Sequence, residues 1–421
     1  MENTISSIGM RVLDVAFDVS SDRLDGAYVH GGELISVSCE NESSAIRAQL
    51  LSIQELANRD GCAEIRVLCE STGVYHRSLL QIASRLGMRT NLVSGEAVCA
   101  QRKIRFNDVG KNDQRDAEVI LDVGRYGRLI KHRQLQEGYD QLRELHRFVR
   151  RCEVNGRRVR NILHAELRVL FGDLRIGRDV LYGSTGKALM VAFGFNPQRI
   201  VEAGRESFEK QIKAHSRYTK RRTLTKIWEQ AVASSSNSVC KELLAIREEQ
   251  VVALYQEIAC LTAKVADLES RMIEIYQQLQ QQDGRLRSAE KGVVSWRMLS
   301  RMTAETGPLS DFRSVKQLMR YAGLNLLERQ SGKYKGQLKI SRRARSALRD
   351  VLNRACLPLT TRRGLYGKYY HEKRDKDRMP GDKAMMCVMR KFLKMFFGWY
   401  QSGAAFDESR VFAQSSRLRV A

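Results

Sequence analysis

An α/β domain followed by a mostly helical remainder is the fold class this sequence predicts, on three observations. Within residues 1–135, short β-rich runs alternate with segments of helical period. From 244 to 279, apolar residues recur every seven positions. Residues 291–402 are again helical in pattern, interrupted by one polar, basic insertion.

The first domain reads element by element. "RVLDVAFDVS" is a strand, then, after the turn-like "SDRLD", "GAYVH" is a second and "ELISVSC", across Gly31-Gly32, a third. Three short strands with such breaks predict an antiparallel meander. "SSAIRAQLLSIQELANR" has helical spacing at Ile46, Leu50, Ile53 and Leu56. "EIRVLCE" is β-rich, "HRSLLQIASRLG" is a helix closed by Gly87, "RTNLVS" is another strand, and a helix begins near Asp113. Three strands followed by α-β-α-β-α is the order of a ribonuclease-H-like mixed sheet.

Residues 136–290 predict a basic helical region. In "QLRELHRFVRRCEVNGRRVRNILHAELRVLF", Leu142, Leu145, Phe148 and Val149 supply an apolar face and arginines cover the rest. The heptad set Leu244, Val251, Ile258, Val265, Met272 and Leu279, with Leu254, Leu261, Leu268 and Ile275 three positions later, predicts a coiled coil over about 244–280. A seam of this kind is expected to join subunits into a homodimer or homotetramer; a long helix packed on its own domain is the competing reading. Residues 291–402 form the last folded domain, and 403–421 read as a polar tail.

Composition narrows the partners. With 72 Lys+Arg against 48 Asp+Glu, the chain carries a formal charge of +24. Such an excess favours a polyanion, because cations that neutralise phosphates release condensed counterions. The 9 cysteines are scattered and form no C-x-x-C pair, which argues against a zinc knuckle or disulfide framework. "MENTISSIGMRV" lacks the pattern of a signal peptide, and no window approaches the ~20 apolar residues of a membrane span. A soluble, cytoplasmic, nucleoid-associated protein is expected, with no membrane partner.

The acids carry the chemistry. "KNDQRDAEVI" places Asp113 and Asp116 three apart at a helix start, on one face. That spacing is close to a capping box, so capping and metal binding are both open on local grounds. Asp18 ends the first strand, in "AFDVSSDRLDGAYV", and Glu70 ends the fourth, in "VLCESTGVYH". Carboxylates gathered together are costly unless a cation neutralises them, and Mg²⁺ takes oxygen ligands. One or two such ions would suit phosphoryl transfer.

Four segments, "FDVSSDRLDGAYV", "CESTGVYHRSLL", "LGMRTNLVS" and "KNDQRDAEVI", resemble in order and spacing the successive motifs of the DEDD (Piv/MooV-like) insertion-sequence transposases. The resemblance implies a RuvC-like amino-terminal domain in which Asp18, Glu70, Asp113 and Asp116 are the catalytic, Mg²⁺-binding D, E, D and D. A second stretch, "LSDFRSVKQLMRYAGLNLLERQSGKYKGQLKISRRARSALRDVL", resembles the carboxy-terminal serine domain of the same family. There it implies that Ser331, in Ser331-Gly332, is a nucleophile forming a phosphoserine link to DNA. By residue type, Arg329, Lys333, Lys335 and Lys339 could offset phosphate charge, and Arg342, Arg343, Arg345 and Arg349 could grip backbone phosphate; a solvated face is the alternative for the last four. The resemblance further implies target and donor DNA as substrates, composite sites between subunits, and a noncoding bridge RNA as guide.

Other readings remain at this point. A Piv-like site-specific invertase would use the same residues without a guide RNA. A RuvC-like junction nuclease would attack with water and dispense with Ser331. A non-catalytic nucleic-acid-binding coiled-coil protein would tolerate loss of all four acids. Tyr366, Tyr369 and Tyr370 invite comparison with tyrosine recombinases, but no Arg-His-Arg set accompanies them.

Overall fold

The computed structural model describes residues 11–71, 73–106, 113–127, 129–171, 174, 176–235, 241–327, 330–331, 334–335, 339–340 and 344–412, with the backbone alone for 113–114, 131, 241, 327, 330–331, 334–335 and 339. It divides into two compact units, 1–134 and 135–421.

The first unit is built on a mixed sheet. Its strands are β1 (Val12–Val19), β2 (Arg23–His30), β3 (Glu33–Glu40), β4 (Glu64–Glu70), β5 (Arg89–Val93) and β6 (Ile130–Lys131), in the spatial order β3-β2-β1-β4-β5-β6. The predicted meander is present: β1, β2 and β3 pair antiparallel, while β4 and β5 run parallel to β1. The helices are α1 (Ser43–Arg59), α2 (His76–Arg85), α3 (Gly95–Phe106) and α4 (Asp113–Tyr126).

Strand alternation sorts the side chains into two layers. Val15, Phe17, Val67 and Cys69 pack with Ile46, Leu50 and Ile53 of α1 and Leu79 and Leu80 of α2. Ala16 and Leu68 point the other way and pack with Val98 of α3 and Val119, Ile120 and Val123 of α4. Central β1 and β4 are therefore apolar on both faces, whereas the edge strand β3 alternates with exposed residues.

Two expectations are corrected here. "SDRLD" is not wholly a turn: the turn closes at Ser20–Arg23, where Ser20 N–H donates to Arg23 O at 2.9 Å, and β2 resumes at once. Helix α3 was not foreseen, because Val98 is its one buried residue and its apolar period is weak.

In the second unit, α5 (Glu137–Leu170), α6 (Arg178–Leu181), α7 (Ser184–Phe193), α8 (Pro197–Glu202), α9 (Arg205–His215) and α10 (Arg221–Ser235) precede α11 (Lys241–Gln282). Then follow α12 (Trp296–Thr306) and α13 (Val315–Ala322). Four two-residue strands come next: β7 (Leu326–Leu327), β8 (Gln330–Ser331), β9 (Tyr334–Lys335) and β10 (Lys339–Ile340). The chain continues through α14 (Ser346–Cys356), α15 (Gly367–His371), α16 (Gly381–Ser402) and α17 (Ser409–Phe412).

The heptad seam lies on α11, and the chain's own α5 covers it. Leu268, Met272, Tyr276 and Leu279 share a core with Tyr139, Leu142, Val149 and Cys152, while Leu244, Val251, Tyr255 and Ile258 share one with Val159, Leu163, Leu167 and Leu170. The start of α5 thus meets the end of α11, and the two run antiparallel. Gly138 fits because it brings no side chain against Leu279, and Arg247 pairs with Glu166 at 3.4 Å near the other end. This corrects the expectation that the seam faces a second subunit. Periodicity reports a partner helix, not whose helix it is. Phe148 is a second correction: it is exposed, with Lys264 Nζ over its ring at 6.0 Å, and Leu142 and Val149 hold the buried side.

Leu268→Ala in this seam is expected to destabilise the second unit by roughly 2–5 kcal/mol. For an intrachain seam the urea midpoint is independent of protein concentration. A midpoint rising with concentration would place a second copy there instead.

Residues 403–412 are not a bare tail, since Phe406, Val411 and Phe412 pack against the core. Among the described residues, no helix is long and apolar enough to cross a membrane.

Candidate active site

Asp18 and Glu70 end adjacent parallel strands. Phe17 pairs with Cys69, so the next residue on each strand is the acid. Alternation puts both on the face of Ala16 and Leu68, the face covered by α3 and α4. Val19 N–H donates to Asp18 Oδ1 at 3.1 Å.

Glu70 depends on a small neighbour. Gly95 opens α3, and a methyl there would collide with Glu70 Oε1. Gly95→Ala is therefore expected to push the carboxylate aside. A fall of at least about tenfold in DNA strand cleavage is predicted, with folding stability within roughly 1 kcal/mol of the parent, since alanine favours helix. Plasmid cleavage and thermal unfolding, measured together, check both halves.

Asp116 lies in the first turn of α4 and is buried. Arg102 of α3 grips its Oδ1 through Nε at 2.9 Å and Nη2 at 2.7 Å. Asp113 is the first residue of α4, and its side chain lies outside the described set.

One acid was missed by the sequence reading. Asp25 stands directly opposite Asp18 in the β1–β2 pair, on the same face. Opposed like charges are unfavourable in a sheet, and Arg23 Nε donates to Asp25 Oδ1 at 3.2 Å. Its signal was the alternation of "DRLDGAYVH", hidden because Asp25 was assigned to a turn.

The donors are all hard oxygens on neighbouring elements and fit a hard divalent cation by type. Among the described residues, however, no three His, Cys, Asp or Glu side chains gather closely enough to hold one. At Asp116 the neutralising cation is Arg102.

In the second unit, Ser331 lies in an arm of nested antiparallel pairs. Leu326 and Leu327 pair with Ile340 and Lys339, and Gln330 and Ser331 pair with Lys335 and Tyr334. Arg329, Lys333, Arg342 and Arg343 fall outside the described residues, and the side chains of Ser331, Lys335 and Lys339 fall outside the described set.

The root of the arm is anchored to buried charge. Arg345 N–H donates to Tyr321 O at 3.1 Å, and the Arg345 guanidinium is ion-paired with Glu305. Glu305, 1% exposed, also accepts from His146 Nδ1 at 2.7 Å. Its backbone oxygen accepts from Tyr321 Oη at 3.1 Å and Arg143 Nη2 at 3.2 Å, so Arg143 serves the orphan carbonyls ending α12. Burial alone would raise the Glu305 pKa. The His146 hydrogen bond and the charges of Arg345 and His146 outweigh it and bring the value down to about 2. Arg349 is half-buried, and its Nη1 has no partner among the described residues.

Tyr366 and Tyr369 are poorly suited to attack. Tyr366 Oη is buried with no hydrogen-bond partner among the described residues, and burial pushes its pKa far up; Tyr369 is also raised, mainly by burial.

Two family models match the chain. One described as a transposase, with DEDD in its name, matches residues 15–171; the other, described as Transposase IS116/IS110/IS902 family, matches residues 293–371. No curated protein matches. Among solved structures, the Aquifex aeolicus PPX-GPPA enzyme is similar at 11% identity over 53% of this chain and 91% of that one, with a TM-score of 0.16, which carries no argument. The two family matches, one over the unit holding Asp18, Glu70 and Asp116 and one over the arm of Ser331, together span more than half of the sequence, and the chain belongs to the IS110 family of DEDD transposases, enzymes that act on DNA.

Proposed function

We propose that the enzyme cuts and rejoins DNA strands for an insertion sequence through a phosphoserine intermediate on Ser331. The observation that carries this reading is the placement of Asp18 and Glu70 at the ends of adjacent parallel strands, on the face covered by α4, the helix of Asp116. The sheet order, with three antiparallel strands followed by two parallel ones, supports a RuvC-like first unit.

In this reading Ser331 Oγ attacks a DNA phosphorus, forming a Ser–O–P bond as the P–O bond to one strand breaks. That strand leaves with a free hydroxyl. The phosphodiester energy is kept for rejoining, when another strand's hydroxyl displaces the serine. A divalent ion, Mg²⁺ by donor type, would be held by Asp18, Glu70, Asp113 and Asp116 and would supply charge neutralisation at the phosphate. Lys335, Lys339, Arg329 and Lys333 add positive charge along the arm, and Arg342, Arg343 and Arg349 hold backbone phosphate. Arg345 instead fixes the arm's root through Glu305. Composite sites from two or four copies, and a bridge RNA guide, complete the proposal.

Purification from cells carrying the element, followed by RNA sequencing, tests the guide. A discrete copurifying transcript is expected. Recombination by RNA-free protein would favour the Piv-like invertase, which uses the same residues.

A further inference from the structure

Helix α16 carries Lys391 and Lys394, three residues apart and on one side of the helix. Both line a cavity of about 590 Å³, a volume in the range of small-molecule sites. Neither has a carboxylate partner among the described residues. The acid on the rim, Asp407, is already paired with Arg410 Nε at 3.1 Å and accepts from Ser409 Oγ at 2.6 Å. The Lys391 ammonium sits 4.8 Å from the Tyr369 ring centre and 4.2 Å from that of Phe412. Burial and then the charge of Lys394 hold its pKa below the usual lysine range. Two ammonium groups are thus held near each other, uncompensated by any described acid.

Three aromatic residues, Tyr369, Trp399 and Phe406, share the lining with two further cations, Arg390 and Arg410. Trp399 Nε1 donates to Ala404 O at 3.1 Å, which fixes the indole, and Phe406 packs on it edge to face at 5.3 Å. Tyr369 completes the rings. Uncompensated cations beside fixed aromatic rings suit a flat ring that carries an anion. An acidic peptide supplies the charge without the ring. A duplex supplies both, but keeps its bases stacked and out of reach of Trp399. An unstacked nucleotide supplies both and can present them.

We propose that this cavity takes one unstacked nucleotide of a single strand, with its phosphate on Lys391 and Lys394 and its base against Tyr369, Trp399 and Phe406. The site joins the arm of Ser331 physically: Arg390, also in its lining, donates through Nη1 to Leu324 O at the arm's root. The inference goes beyond strand cleavage and is tested in the Ser331→Ala background, so its failure leaves the nucleophile untouched.

The experiment measures fluorescence anisotropy with a labelled oligothymidylate and with a duplex of equal length. Lys391→Met with Lys394→Met, which keeps the side-chain bulk, is expected to weaken single-strand binding about tenfold and to flatten its salt dependence by a slope of about one. Duplex binding should change less than about twofold. Equal losses for both, or no loss for either, would overturn the site. With the lysines intact, a strand bearing 4-thiothymidine should photocross-link to Tyr369, Trp399 or Phe406. Cross-links found only elsewhere would overturn it without reliance on a variant. Inorganic phosphate competing as well as thymidine monophosphate would reduce the cavity to a plain anion site and reject the base contact.

Discussion

Ser331→Ala is expected to lower strand joining by at least about a thousandfold, with DNA binding within about twofold of the parent. On the proposed mechanism, alanine removes the atom that forms the new bond. Water attacking in its place would only hydrolyse, because no covalent link would survive to be displaced. Ser331→Cys keeps a nucleophile of similar reach, and residual joining is expected from it. Quantitative amplification of recombinant plasmid junctions reads both variants. Joining retained in Ser331→Ala would remove the serine from the reaction.

The second large effect concerns Glu305. Its carboxylate is fully buried and holds Arg345 and His146. Replacing it by glutamine strands that charge, and breaking a buried pair of this kind costs roughly 3–5 kcal/mol. The pH dependence has a definite sign. The folded pKa, about 2, lies below the ordinary 4.5, so the stabilisation is complete above about 4.5 and is lost as pH falls towards 2. Over that window the parent should lose on the order of 3 kcal/mol from this group. Urea unfolding of the second unit from neutral to acid pH checks it. The difference between parent and Glu305→Gln should shrink as the pH drops; a constant difference would mean that ionisation of Glu305 is not its source. Joining should fall in step, because Arg345 anchors the root of the arm to Glu305.

Much of the first unit was legible in the sequence. Helix α1 and strand β4 run between the residues that their patterns indicated, because each has a clean period and marked ends. The start of β2 was lost because Ser21 and Asp22 look like a longer turn, although the Ser20–Arg23 hydrogen bonds close it in two residues. Helix α3 carries one buried residue and so almost no period, yet it brings Gly95 to Glu70 and Arg102 to Asp116.

The limits elsewhere are also physical. A heptad seam looks the same whether its partner is α5 or a second copy, since the same apolar stripe serves both. The Glu305 cluster draws on α5, α12, α13 and the residue before α14, which lie far apart in sequence, and no local pattern announces such a meeting. Ser331 has no local signal beyond a serine beside a glycine, and its role rests on the family resemblance.

The most direct test of the account is chemical. The enzyme would be incubated with Mg²⁺ and DNA bearing the element's ends, denatured, freed of unbound DNA and digested with nuclease and protease. Mass spectrometry should find a nucleotide phosphate esterified to the peptide containing Ser331, and none in the Ser331→Ala chain. Cleaved DNA with no adduct on any peptide, or an adduct on a different side chain, would contradict the account.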